Sequence, residues 1–242
     1  VRRSSDDTFK SFTADEVTDG TLLAFVGTGG SDNGFVKTWY DQSVTNEAGD
    51  TATGNHAVQA TPANQPLIVS SGALVANGID FNGTSQGLEM PEGDIFSDLN
   101  SCSSFVIAKT DITGSTDIGF ALSDSGNNKR WYAPIIVGGK ANFGYGSSAS
   151  AIEFSTADTD KHLFTAIAGS STAEAFLDGA SKGTVSSISG QDPVNGINLG
   201  GANNSLFWDG TIQEIVAYNT DQTANRGAIE ANIGEAYSIT GI

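Results

Sequence analysis

The sequence predicts an all-β protein built as a two-sheet antiparallel sandwich. Three observations predict it. Glycine occurs 30 times and proline only 5 times in 242 residues, which suits many short strands joined by tight turns. Apolar residues make up 38% of the chain, with 13 Phe, 5 Tyr and 3 Trp. That is enough to fill a layer between two sheets, and too regular a supply for a disordered chain. The strand-like runs are short and evenly spread, with no linker or internal repeat between them, so one domain over residues 1–242 is the simplest organisation.

Taken in order, residues 22–26 and 34–40 read as the first strands. The polar stretch 41–64 carries few apolar residues and reads as loop, closing near Pro62 and Pro66. Residues 67–69, 79–83 and 87–90 follow as strands. Residues 104–108 form a β-branched and aromatic run, and Cys102 just before it reads as a buried small apolar residue. Residues 119–122 and 131–137 come next, and 141–145 alternate with period two, as a half-buried strand should. Residues 162–167 and 173–177 read as a hairpin, and the second strand turns at Asp178-Gly179, a strong turn dipeptide. Residues 197–200 and 210–218 close the sheets. Only residues 223–237 break the pattern. Ile229, Ile233 and Tyr237 recur at four-residue spacing, a helix face with Asp221 or Thr223 as N-cap, expected to cover the end of the sandwich.

Charge narrows the partners. Eleven basic against 28 acidic side chains leave a formal charge of −17 and a pI near 4.1. Such a surface repels phosphate backbones and anionic membranes, so neither nucleic acid nor membrane insertion is expected. No apolar run of about 18 residues is present to span a bilayer. The acidity is read first as solubility and second as cation binding. Cys102 is the only cysteine, which rules out an intrachain disulfide and a thiolate zinc site. His56 and His162 lack the spacing of a metal pair, and the glycine clusters do not sit between a strand and a helix as a phosphate cradle requires.

Several segments carry a resemblance. Ile79-Asp80-Phe81-Asn82-Gly83, Phe176-Leu177-Asp178-Gly179 and the run from Leu199-Gly200-Gly201 to Trp208-Asp209-Gly210-Thr211-Ile212 are similar, in that order, to the "FDG", "VDG" and "IG…F.G.IDEV" segments of the concanavalin A-like/laminin-G-like superfamily. The resemblance implies a two-sheet antiparallel jelly-roll sandwich. Val1-Arg2-Arg3-Ser4-Ser5-Asp6, Trp39-Tyr40-Asp41-Gln42-Ser43, Phe143-Gly144-Tyr145-Gly146 and Ala228-Ile229-Glu230-Ala231-Asn232-Ile233 further resemble segments of the arabinofuranosidase-B catalytic domain, itself such a sandwich.

That family's chemistry needs two carboxyl groups about 5–5.5 Å apart, one nucleophile and one acid/base. The resemblance places Glu153 at the nucleophile position, with Ala151 where a neighbouring Asp would stand. It aligns the turn that carries the family's acid/base Asp with Gly200-Gly201-Ala202-Asn203, and the methyl group of Ala202 cannot protonate a leaving oxygen. Loss of such help alone costs roughly 10²–10⁴ in rate. The family's paired pocket cysteines are absent, and Phe143 replaces its pocket Trp. Asp124 or Asp209 are the carboxylates that could compensate.

Sugars are held by aromatic faces together with planar polar side chains. Trp39, Tyr40, Asp41 and Gln42 combine these types, as do Asn128 and Trp131, with Phe143, Asn203 and Trp208 as further candidates. Neighbouring aromatics on a strand face opposite ways, so one of each pair Trp39/Tyr40, Trp131/Tyr132 and Phe207/Trp208 must be core. The laminin-G-like resemblance also implies Ca²⁺ at a sandwich rim, with Asp117, Asp124, Asn127 and Asp209 as ligands.

The expectation is therefore a non-catalytic module that binds carbohydrate or mediates adhesion. Two alternatives stay open: a glycoside hydrolase of the arabinofuranosidase type, and a purely structural decoration domain of a larger assembly. The start without Met and the lack of disulfides suit a displayed part of a longer protein, on a virion, a cell surface or outside the cell.

Overall fold

A computed structural model describes residues 1–43, 55–90, 99–114, 116–123, 130–146, 148–169, 171–188, 196–201 and 206–242. Within them lie two antiparallel sheets of ten and nine strands, one strand of each lying off the main order: Ala73–Leu74 beside Leu67–Ser70, and Asp117–Ile118 beside Arg130–Val137. The two-sheet antiparallel sandwich expected from the sequence is the fold observed. The larger sheet runs, edge to edge, through Arg2–Arg3, Gly34–Phe35, Leu67–Ser70, Ile79–Asn82, Asp209–Tyr218, Ser103–Thr110, His162–Gly169, Thr172–Leu177 and Ala180–Ser186. The smaller runs through Ser148–Thr156, Lys140–Tyr145, Arg130–Val137, Phe120–Ser123, Gly196–Leu199, Leu88–Met90, Ala57–Val58 and Thr38–Trp39. Strands distant in sequence are neighbours, as when Asp209–Tyr218 fits between Ile79–Asn82 and Ser103–Thr110.

Alternation decides which side chains fill the space between the sheets. Ile79, Phe81, Val106, Ala108, Phe164, Ala166 and Ile212 come from the larger sheet; Leu88, Phe120, Leu122, Trp131, Phe143, Phe154 and Leu199 come from the smaller. Each is less than 9% exposed. Burying a side chain of this size is worth about 1.5–3 kcal/mol, so this layer supplies the main stabilising term. Gly200 is obligatory within it. Its φ is +77°, and a Cβ there would overlap the Phe81 ring.

The structure departs from the sequence reading at several places, among them the stretch 41–64, read as loop, where Ala57–Val58 pairs with Thr38–Trp39 and Leu88–Met90 as a strand of the smaller sheet. Residues 22–26 form not a strand but the helix Thr21–Val26, because Leu22 and Val26, one turn apart, bury against Val69 on one face. A second short helix, Ala14–Thr18, precedes it and is closed by a capping box between Thr13 and Glu16. Residues 34–40 are two strands, not one. Gly34–Phe35 belongs to the larger sheet and Thr38–Trp39 to the smaller, and the chain crosses between them at buried Val36. The C-terminal helix Arg226–Tyr237 is present, with Asn225 at its N-cap and no side-chain cap bond. Asp221 instead accepts from the Thr223 backbone nitrogen at 2.8 Å, making a turn ahead of the helix. The helix covers a face, not an end. Ile233, Ile229 and Tyr237 pack on Phe105, Ile107, Leu163 and Ile167, which point away from the main core.

The predicted turn at Asp178-Gly179 is observed. Both residues have positive φ, +48° and +79°, the requirement of a tight turn between antiparallel strands, and Leu177 pairs with Ala180 across it. Cys102 is buried, 1% exposed.

Candidate functional site

The outer face of the smaller sheet, at the edge formed by Gly196–Leu199, Leu88–Met90, Ala57–Val58 and Thr38–Trp39, gathers the polar and aromatic groups. Asn198 lies opposite Glu89, Glu89 opposite Val58, and Val58 opposite Thr38, so these four form one row across the strands. Leu88, Ile197 and Leu199 alternate with them and face the core. Tyr40, two residues after Thr38, and His56, two before Val58, continue the same face. Their rings meet edge to face with centroids 4.9 Å apart.

Local bonds hold this group. Tyr40 Oη shares a 2.8 Å hydrogen bond with Ser11 Oγ. The Asp41 backbone nitrogen donates to His56 Nδ1 at 3.0 Å, which makes Nδ1 the acceptor of the ring. Partial burial alone would raise the Asp41 carboxyl, but hydrogen bonds from Ser43 and Asn55 outweigh it and hold the pKa below the usual range. Asp41 therefore stays an ionised acceptor down to acidic pH. Gln42 is exposed and its amide donates to the Tyr40 carbonyl at 3.1 Å. Nearby, Phe9 is 48% exposed, with Lys37 Nζ 4.5 Å from its ring centroid.

Other sequence candidates fall elsewhere. Trp131, Phe143 and Trp208 are fully buried, so none offers a ring face to a ligand; this corrects the binding role expected of them. The alternation rule already required one of each aromatic pair to be core, and the bulkier indoles took that side. Trp131 packs on Phe143 and Tyr145, and its Nε1 donates to Ser104 Oγ at 2.8 Å, a polar need met inside the core. Tyr132, its outward neighbour, is also buried, in a separate cluster with Ile118, Ala121 and Ile135. Trp39 is half-buried against the core. Asn128 and Asn203 lie outside the described residues.

Glu153 is exposed on the strand Ser148–Thr156 and pairs with Lys140, Oε2 to Nζ 2.6 Å, both side chains about half exposed. Among the described residues the bonded partner of Glu153 is that surface ammonium, the arrangement of an ordinary exposed strand ion pair. Ala202 lies outside the described residues.

The expected calcium ligands do not assemble among the described residues. Asp117 is a buried residue of the smaller sheet and Asp209 belongs to the larger, while Asp124 and Asn127 lie outside the described residues. No group of three or more His, Cys, Asp or Glu side chains converges among those described, whereas Ca²⁺ takes about six to eight oxygens. Asp209 instead opposes Asn82 across the ladder. Burial first, and then the charge of Asp111, push its carboxyl upward. Asp80 is raised likewise by burial, Asp111 and Asp209, with Lys109 opposing. Lys109 is ion-paired to Asp111, and a resident ammonium is a poor companion for a second cation.

Sequence reasoning missed two features. His162, noted in the sequence only as lacking the spacing of a metal pair, bridges two carboxylates: Nδ1 lies 2.6 Å from Asp178 and Nε2 3.0 Å from Asp158. The other is a cleft beside Asn198 and Glu89, lined also by Gln59, Ser85, Gly201 and Phe207. Its parts come from segments more than 100 residues apart, and only the strand order joins them.

No protein-family model matches the chain, and no curated protein matches it in sequence. Solved structures do match in fold. Domain 4 of AbnA, a GH43 extracellular arabinanase from Geobacillus stearothermophilus, in complex with arabinotriose, is 16% identical over 86% of this chain and 95% of that one, with a TM-score of 0.51. Trypanosoma rangeli sialidase in complex with sialic acid is 13% identical over 79% of this chain, with a TM-score of 0.52. The chain spans only 33% of that sialidase, and 29% of it in a second structure. At such identities the likeness is one of fold alone: this chain is a two-sheet antiparallel β-sandwich.

Proposed function

We propose that the protein is a non-catalytic carbohydrate-binding module whose ligand lies on the outer face of the smaller sheet. The observation that carries this reading is the grouping of Tyr40, His56, Asp41 and Gln42 on one exposed edge of that face. It sets an aromatic pair beside an acidic acceptor and an exposed amide. Aromatic edges and faces take the apolar side of a sugar ring, and planar polar groups take its hydroxyls. The arabinanase domain crystallised with arabinotriose is similar over nearly its whole length and supplies the first probe. Two features support a role without turnover: Glu153 is tied to Lys140, and alanine stands at 202, where the resemblance would put the acid. A role outside the cell, as part of a larger protein or particle, suits a sugar-binding surface on an acidic sandwich.

Titration calorimetry with arabinotriose and other neutral trisaccharides tests it. The expected result is saturable binding that Tyr40→Ala weakens at least tenfold while leaving the melting temperature unchanged, together with no release of p-nitrophenol from an aryl arabinofuranoside. Hydrolysis abolished by Glu153→Gln would instead establish the enzyme.

A further inference from the structure

Resting on that reading, we infer that the cleft at Asn198 and Glu89, which lie on the same sheet face as Tyr40, is a subsite for one neutral sugar residue, and that Asn198 and Glu89 together select neutral over acidic glycans. The cleft opens where Leu88–Met90 and Gly196–Leu199 run side by side, walled by Phe207 and Gln59. Asn198 is only 9% exposed, yet its side chain takes part in no hydrogen bond among the described residues, and neither does that of Glu89. Buried amides are normally satisfied, because an unmet donor or acceptor forfeits its hydration. An amide so enclosed, with no hydrogen-bond partner among the described residues and lining a cleft, is placed to bond a ligand there.

The chemistry of that ligand follows from the lining. Asn198 offers a carbonyl acceptor and an amide N–H donor group, and Glu89 offers two acceptor oxygens, so the pair suits adjacent hydroxyls that both donate and accept. Phe207, half-buried, gives an apolar wall for a ring face. Gln59 is held in place and does not compete for the site: its Nε2 donates to the Gly87 carbonyl at 2.8 Å and its Oε1 accepts from the Thr61 nitrogen at 3.0 Å. No cation neutralises Glu89 among the described residues. A uronic or sialic carboxylate in this space would meet a like charge at close range, on a chain of net charge −17.

The test compares arabinotriose and xylotriose with trigalacturonate, by calorimetry and by chemical-shift perturbation, on the wild type, Asn198→Ala, Glu89→Gln and Tyr40→Ala. Expected are saturation by a neutral trimer, affinity for trigalacturonate at least 100-fold weaker, a tenfold or greater loss in Asn198→Ala at unchanged melting temperature, and a tenfold or greater narrowing of the neutral-to-acidic ratio in Glu89→Gln. Binding of a neutral trimer that Tyr40→Ala removes but Asn198→Ala and Glu89→Gln leave intact would overturn the subsite and spare the module. Equal affinity for the acidic trimer would overturn the selectivity. No saturation by any glycan would overturn the module and the subsite together.

Discussion

His162 shows how one residue ties the sheet to the pH of its surroundings. It is held between Asp178 and Asp158, and its pKa is raised to about 9, chiefly by the hydrogen bond to Asp178, with Asp158 adding and burial opposing. The folded pKa lies above the unfolded value of 6.5. The stabilisation is therefore fully present below pH 6.5 and fades as the pH rises through about 9. After allowance for solvent screening, the bridged ring contributes about 2 kcal/mol. The melting temperature is expected to fall between pH 6.5 and 9.5 in the wild type, beyond any fall in His162→Gln. Parallel profiles for the two proteins would show that the bridge contributes nothing. Asp178 also accepts from the Leu163 nitrogen at 2.9 Å, so the residue that starts the tight turn also fastens the neighbouring strand His162–Gly169. The turn was legible from two letters, Asp178-Gly179, because it is a local demand on φ. The histidine bridge was not, because Asp158, His162 and Asp178 meet only when the hairpin closes.

Elements repeat that contrast between local and non-local information. The strand Lys140–Tyr145 and the helix Arg226–Tyr237 announce themselves by period, although the strand expected to be half-buried is covered on both faces, Asn142 included. The short helix Ala14–Thr18 also carries its signal, the box from Thr13 to Glu16, although five residues give too little apolar period to draw notice. Thr21–Val26 could not be separated from a strand, since a short apolar run fits either, and Val69 across the fold decides it. The break at Val36 depends on which sheet receives each half, again a matter of tertiary position. The C-terminal helix covers the outward residues Phe105, Ile107, Leu163 and Ile167 of the larger sheet, with Ile233 at the centre of the contact. Ile233→Asp is expected to loosen the helix and expose these side chains. Strong binding of a hydrophobic dye at temperatures well below melting would report it, and an unchanged dye signal would mean that the sheet does not rely on this cover. Uncovered, four neighbouring apolar side chains on a sheet face make an aggregation-prone patch.

Across the whole molecule, charge works against compactness. With 28 acidic and 11 basic side chains, repulsion is relieved only locally, by pairs such as Arg2 with Asp7, Arg3 with Asp6 and Lys140 with Glu153. Raising the salt from about 10 mM to about 150 mM shortens the screening length from about 30 Å to about 8 Å. The melting temperature is expected to rise by a few degrees over that range, and a fall would show that the local pairs outweigh the net repulsion. The site belongs to this scale as well. Tyr40 to Gln42 could be read from composition, because aromatic and planar polar residues adjoin in the chain. The cleft of Glu89, Asn198 and Phe207 could not, for it exists only through the strand order. Trp131 and Trp208 misled because bulk serves a core as well as a sugar.

The strand order also fixes where the two ends leave the sandwich. Arg2–Arg3 is the outermost strand on one side of the larger sheet, while Ile242 rests against Gly179 in the turn near the other side. At about 4.8 Å per strand the exits stand about 35 Å apart. Chain joined at both ends would therefore be carried across the width of the sheet, so that repeated copies would string out like planks laid side by side. Tension drawn through them would pull across the strands and open their ladders one bond at a time, beginning with the short strand that carries Arg2.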